Sequence, residues 1–348
     1  MNYVRNAWYV AAWSHEIEQG RPFAITILDE PLVIYRGESG RLAALEDRCV
    51  HRMAPLSLGR CEGDRLRCMY HGLLFSPEGR VVEIPGQDQV PPNARVRAYR
   101  VAERHSWVWI WMGEAERADE ALIPPAVGLD DPDYILGHGH LDYEAEARLI
   151  NDNLLDFSHL SFVHANSFGA GPEFAETQAR MTPLERGMRY ERWIENTLGS
   201  SSRKSDEPMD NYMTYDFLIP GVLLMTGGIY PPGTAKGCDY GVPDGKPLGG
   251  VTFTSQAVTP LTAKTARYFF SWGPHRDHGD EAMRDALMQL AGVAFAEDKV
   301  MIEAQQKVID RTPDPRVMPT AHDKGVTMFN RLVERLARAE AEGNRDAA

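Results

Sequence analysis

The feature that most constrains this chain is a pair of mixed cysteine–histidine loops. Cys49-Val50-His51 is followed, sixteen residues later, by Cys68-Met69-Tyr70-His71. Each half offers one thiolate and one imidazole, and turn-favouring residues (Pro55, Gly59, Gly63, Gly72) flank both. Two Cys and two His can hold one zinc ion or two sulfide-bridged irons. Zinc fingers usually keep the thiolates in one pair and the imidazoles in the other. A two-iron centre with thiolates on one iron and imidazoles on the other needs each loop to reach both irons, which suits the alternating C-x-H and C-x2-H halves. Cys61 and Cys238 have no such pattern and read as plain thiols.

Length and charge narrow the setting. At roughly 150 residues per domain, 348 residues suggest two domains. A hydrophobic share of 43% with 25% charged residues is globular composition. With 37 basic and 50 acidic residues the net charge is −13, so nucleic acid and anionic membranes are poor partners. No run reaches the roughly 18 apolar residues of a membrane span. The start, MNYVRNAWYVAAWSHE, lacks the pattern of a signal peptide. Four cysteines are too few for a disulfide scaffold, so a cytoplasmic protein with reduced thiols is expected.

The first third reads as short strands (Ala24–Leu28, Leu32–Tyr35, Leu42–Leu45) between turn signals. The run Trp107–Met112 is apolar on both faces and reads as a buried strand, its tryptophans as core. A charged stretch from Gly113 and then Pro124-Pro125 suggest a boundary, giving domains 1–115 and 116–348. Strands are expected at Tyr212–Leu218, Val222–Tyr230, Gly250–Val258 and Thr265–Trp272. Glu281–Ile309 reads as one long helix, and Val326–Leu336 as an amphipathic docking helix. Gly199–Asp210 and Pro231–Gly250 read as long loops, and Glu340–Ala348 as a frayed end.

A second constellation follows the boundary. Asn153, Asp156 and His159 recur at three-residue steps, and His164 lies five residues further on. On one helix the first three share a polar stripe. Two histidines beside Asp and Asn in an apolar helix cost several kcal/mol to bury unless a metal or a hydrogen-bond network compensates, on the order of 2–7 kcal/mol per unpaired group. Five residues turn a straight helix by about 140°, so the two imidazoles meet one metal only across a π-type turn or a helix end, expected near Leu160–Val163. Two histidines with one carboxylate form the facial triad of mononuclear non-haem Fe(II) oxygenases. Spacing alone makes Glu297 and Asp298 of the long helix equally eligible as the carboxylate, with a solvated charged face as the ordinary alternative for either.

The stretch from Cys49 to Gly59 with Cys68–Gly72 resembles the Rieske [2Fe–2S] domain, departing from many members at Val50 and Met69. With Val4–Ala12, Glu83–Gln87, Trp107–Met112 and N-x2-D-x2-H-x4-H, the chain resembles over nearly its whole length the oxygenase component of Rieske non-haem iron aromatic monooxygenases, such as vanillate and dicamba O-demethylases and toluenesulfonate methyl-monooxygenase. The resemblance implies an α+β chain: an all-β Rieske domain, then a helix-plus-antiparallel-sheet (helix-grip) catalytic domain. It implies Cys49, His51, Cys68 and His71 as cluster ligands and His159, His164 and Asp298 as iron ligands. Asp156 corresponds to a bridge that passes electrons between subunits of a homotrimer, from His71 of one to His159 of the next, and Asn153 to an asparagine near the iron. Gln256 is a candidate substrate contact, although facing solvent is the more ordinary reading for a polar strand residue.

The same resemblance implies electrons from NAD(P)H through a separate flavin/iron–sulfur reductase, with O2 split between a substrate C–H bond and water. The main expectation is vanillate-type O-demethylation of an aromatic acid with release of formaldehyde; the alternative is aryl-methyl hydroxylation of the toluenesulfonate type. From other classes, a Rieske electron carrier is about one domain long and leaves the second constellation unexplained, and a zinc-stabilised binding module would be excluded by visible absorbance and a rhombic low-field EPR signal in the reduced protein. Ring-dihydroxylating dioxygenases have longer large subunits.

Overall fold

The computed structural model describes residues 3–199, 205–314 and 316–346. The chain divides into two compact units: Tyr3–Ile123 with Thr259–Ala263, and Pro124–Val258 with the chain from Lys264 onward.

The first unit is built from ten strands: β1 (Trp8–Trp13), β2 (Phe23–Ile27), β3 (Glu30–Arg36), β4 (Leu42–Glu46), β5 (Arg60–Glu62), β6 (Arg65–Arg67), β7 (Leu74–Phe75), β8 (Val81–Glu83), β9 (Ala98–Arg104) and β10 (Trp107–Trp111). They form a six-stranded sheet in the order β1-β10-β9-β4-β3-β2 and a four-stranded one in the order β5-β6-β7-β8. Every residue of β1 and β10 is buried, which a two-faced apolar strand requires. A bulge between Val10 and Ala12 keeps Trp8 opposite Trp111 and Trp13 opposite Trp107. These rings meet at 5.5 and 5.3 Å. The indole N–H groups of Trp8, Trp109 and Trp111 donate to the carbonyls of Asp119, Arg104 and Glu114, so the aromatic payload is buried with three of its polar ends satisfied.

The second unit opens with β11 (Gly137–Tyr143), α1 (Ala147–Leu155) and the single-turn α2 (Glu173–Glu176), followed by β12 (Arg180–Leu184), β13 (Gly187–Thr197), β14 (Met209–Leu218) and β15 (Val222–Tyr230). The single-turn α3 (Thr234–Gly237), β16 (Gly249–Thr262, of which the residues through Val258 belong to this unit), β17 (Thr265–Pro274), α4 (Glu281–Arg311) and α5 (Lys324–Asp346) complete it. Its seven strands form one antiparallel sheet in the order β11-β17-β16-β15-β14-β13-β12. Phe295 of α4 packs edge-on against Tyr268 and Phe270 of β17 at 5.2 and 4.9 Å. Polar groups set the helix position: Glu303 and Gln306 accept from the amides of Glu144 and Glu146, both at 2.9 Å, tying α4 to the segment that starts α1. Asp280 caps α4 by accepting from Met283 N.

Two expectations need amendment. Within Pro231–Gly250 lies the single-turn α3, and α5 stays helical through Asp346, past the point where fraying was expected. Of the expected loop at Gly199–Asp210, residues 200–204 lie outside the described residues, as do Ala347 and Ala348 of the expected frayed end. No helix among the described residues is long and apolar enough to cross a membrane.

Trp109 is fully buried in β10. Trp109→Ala is expected to destabilise the first unit by about 3–5 kcal/mol, read as a lower urea midpoint at unchanged slope.

Candidate metal centres

In the first unit the two Cys–His loops repeat one backbone arrangement. Cys49 N donates to the carbonyl of Ala54, and Met53 N donates back to the carbonyl of Cys49. Cys68 N donates likewise to Leu73 O, and Gly72 N to Cys68 O. The fourth residue after each cysteine is left-handed, Met53 at φ 61° and Gly72 at φ 79°. Glycine is required at the second of these twice over, because a Cβ on Gly72 would also stand 2.8 Å from Pro85 Cγ.

Both cysteines are buried among Leu56, Leu66, Leu73 and Phe75. Burial pushes the Cys49 thiol above its ordinary range. His51 and His71 are exposed, with ring centroids 4.5 Å apart. Two buried thiols and two imidazoles at the rim fit the donor set of a two-iron, two-sulfide cluster, which Cys49, Cys68, His51 and His71 would hold.

In the second unit the chain breaks earlier than the spacing suggested. Helix α1 stops at Leu155, and Asp156 turns extended at φ −128°, ψ 94°. The Asp156 carboxylate accepts from Ser158 N at 2.9 Å and caps a 3-10 turn, Phe157–Ser161, that carries His159. His164 follows in an irregular turn, with Phe162 and Val163 N both donating to His159 O. Residues Leu160–Val163 show no π-type widening; a capping aspartate ends the α-helix before His159, and of the two distortions expected the helix end is the one found, the 3-10 turn stopping at Ser161 between the two histidines. Asn153, Asp156 and His159 accordingly do not share one helical stripe.

The break brings the donors together. Ligand atoms of His159, His164 and Asp298 all lie within 4.8 Å of one another. Asp298 Oδ1 stands 3.2 Å from His164 Nε2 and 3.6 Å from His159 Nε2. Asn153 Nδ2 donates to the same oxygen at 3.0 Å and lies 3.4 Å from His159 Nε2. His159 Nδ1 is taken by the carbonyl of Asp156, and His164 Nδ1 by Glu297 at 2.9 Å. Both Nε2 atoms therefore remain to face one ion, with a single carboxylate opposite. Burial drives His159 below its usual range against the pull of Asp298. Burial also opposes charge on His164, but Asp298 and Glu297 outweigh it, and the net direction is up. Two imidazoles and one buried carboxylate, with no further His, Cys, Asp or Glu grouped with them among the described residues, fit a mononuclear ferrous ion.

Beside the donors opens a cleft with mostly apolar walls, among them Phe157, Phe168, Phe174, Met213 and Phe295. Gln256 lines it and is buried, which corrects the solvent-facing reading. Sequence reasoning missed Asn211, Thr254 and Trp272, which also line it. Alternation along β14, β16 and β17 could have placed them inward, but nothing in the sequence marks which face of the sheet carries the cavity.

Comparisons with known proteins agree with these centres. Residues 7–99 match the Rieske [2Fe-2S] domain model, and 143–339 match the vanillate O-demethylase oxygenase C-terminal domain model. The iron–sulfur subunit of a toluene-4-sulfonate monooxygenase system from Comamonas testosteroni is 39% identical, over 98% of this chain and 99% of its own. A vanillate O-demethylase oxygenase subunit from Pseudomonas sp. (strain HR199 / DSM 7063) is 32% identical, over 98% of this chain and 96% of its own. The crystal structure of dicamba monooxygenase bound to 3,6-dichlorosalicylic acid superposes with a TM-score of 0.87 at 29% identity, covering 98% and 99% of the two chains. The chain belongs to the Rieske non-haem iron oxygenases of the vanillate O-demethylase and toluenesulfonate monooxygenase type. It is the terminal oxygenase of a Rieske monooxygenase acting on aromatic substrates, with a [2Fe–2S] cluster and a mononuclear iron at His159, His164 and Asp298.

Asp298→Ala is expected to lower iron from three to two per chain while the visible absorbance of the cluster stays unchanged; metal analysis checks it.

Proposed function

We propose that this oxygenase hydroxylates a methyl group on an anionic arene, the alternative of the two readings raised by the sequence. The observation that carries it is the 39% identity over 98% of the chain to a toluene-4-sulfonate system, against 32% to the vanillate enzyme. Vanillate-type O-demethylation therefore gives way as the main expectation. The cleft supports an aromatic substrate, since flat apolar walls suit a ring and exclude water from the reacting C–H bond.

Dioxygen activation is the chemistry supplied by the bound iron, fed with single electrons through the cluster from NAD(P)H by a flavin/iron–sulfur reductase. Binding and orientation fall to the chain. Among the described residues lining the cleft there is no Lys or Arg, so neutral groups must hold an acidic substituent. Gln256, Asn211 and Trp272 are suited to this. Gln256 Oε1, Asn211 Oδ1 and Trp272 Nε1 are buried with no partner in the protein. Either amide, turned over, offers its N–H2 to a sulfonate or carboxylate oxygen.

In the same reading residues 1–115 carry the cluster on Cys49, His51, Cys68 and His71, and 116–348 carry the iron. Asp156 bridges two subunits of a homotrimer, its carbonyl on His159 Nδ1 and its carboxylate, which accepts from Ser158 N through Oδ1, accepting from His71 of a neighbour through Oδ2. Exposed Met53, Met69 and Tyr70 beside the cluster loops, and exposed Phe162 beside His159, are apolar surface that such a neighbour would cover. Asn153 steadies Asp298 near the iron. A cytoplasmic location accords with four free cysteines.

With a surrogate reductase, methyl-substituted arylsulfonates and benzoates are expected to drive NADH use and yield benzyl alcohols without formaldehyde. Formaldehyde from methoxy acids, with methyl substrates inert, overturns the reading. Asp156→Ala should keep all three irons and lose about 10–100-fold in turnover; wild-type turnover refutes the bridge.

A further inference from the structure

We infer that Glu297 is a positioning residue that orients His164 for the mononuclear iron. Glu297 and Asp298 are adjacent on α4, and successive helical residues diverge by about 100° around the axis. The pair uses that divergence to hold one imidazole from both sides. Asp298 is buried and faces His164 Nε2 at 3.2 Å, while Glu297 reaches around to Nδ1 at 2.9 Å.

Glu297 is itself held. Ser167 Oγ donates to Glu297 Oε2 at 2.6 Å, and Ser167 N donates to His164 O at 3.2 Å. His164, Ser167 and Glu297 thus close a ring of hydrogen bonds. The same Oε2 takes both the Nδ1 and the Ser167 bonds, so Glu297 would have to abandon both to reach inward as a metal ligand with that atom.

His164 needs this support more than His159 does. His159 rides on a 3-10 turn, and its Nδ1 finds a backbone carbonyl three residues away. His164 lies in an irregular turn where no regular backbone fixes the ring, with the Phe168 and His159 rings edge-on at 5.0 and 5.2 Å. A carboxylate on Nδ1 settles the tautomer, turns Nε2 inward and makes it a better donor. The two imidazoles are therefore held unequally, His159 by a neutral carbonyl and His164 by an anion.

The test is anaerobic Fe(II) titration of full-length protein with its cluster assembled, cluster absorbance serving as the measure of intact folding. The inference rests on the mononuclear iron reading: wild-type protein that takes up no Fe(II) sinks that reading first. Given wild-type uptake, Glu297→Ala should weaken Fe(II) binding about 10–100-fold with cluster absorbance unchanged. Glu297→Gln, whose amide oxygen still accepts from Nδ1, should recover part of the loss. Ser167→Ala should show a smaller loss of the same kind. Wild-type affinity in Glu297→Ala overturns the inference. Should that variant lose its cluster as well, Ser167→Ala decides, and unchanged affinity there overturns it equally.

Discussion

Much of the second unit turns on the Asp298 carboxylate. A carboxylate at 5% exposure on a core-facing helix is costly unless it is paired and hydrogen-bonded. Here it meets His164 Nε2, His159 Nε2 and the Asn153 amide. Each partner arrives from a different local structure: Asn153 from the last turns of α1, His159 from a 3-10 turn, His164 from an irregular turn. Without such partners the burial of this carboxylate would go uncompensated. Its placement in turn demands that α4 keep its axial position, which the Glu303 and Gln306 bonds to Glu144 and Glu146 secure.

The first unit solves the opposite problem. Its thiolates must be shielded while its imidazoles stay reachable. Two loops with the same hydrogen-bond pattern do this by turning left-handed four residues after each cysteine, which carries the chain back over the thiol and leaves the histidine at the rim. The first loop uses Met53 rather than glycine there and accepts a strain of about 1–2 kcal/mol. Gly72 has no such freedom, because Pro85 occupies the space of its side chain.

Much of this was legible in the sequence where a residue pattern maps onto one local structure. Val222–Tyr230 reads as a strand and is one with the same bounds, since turn residues punctuate it at both ends. The Trp107–Trp111 core follows from apolar residues on both faces. The metal donors were visible because His, Asp and Asn are out of place in an apolar segment. What failed was geometry set by competition. Periodicity favoured a continuous helix through His159, but the Asp156 side chain satisfies Ser158 N better than helix continuation does, and the chain bends there. Glu297 and Asp298 could not be separated because only the phase of α4 against the rest of the unit decides which one turns inward. Gln256 was misplaced for a related reason: alternation gives two faces and does not say which one covers a cavity.

The division of labour between layers bears on how one family serves different arenes. The iron donors lie on helices and turns, whereas the unpartnered polar groups of the cleft lie on the sheet: Asn211 on β14, Gln256 on β16 and Trp272 on β17. A strand residue can change its side chain without moving the backbone ladder that holds its neighbours. The donor triad cannot, because each member is tied to another by polar contacts of 3.0 to 3.6 Å through Asn153 and Asp298. Substrate choice can therefore drift on one wall while the chemistry on the other stays fixed. Relatives named for a sulfonate, a vanillate and a dicamba substrate each match 98% of this chain, and under the proposed function the inward-facing positions of β14, β16 and β17 are where their substrate preferences would diverge.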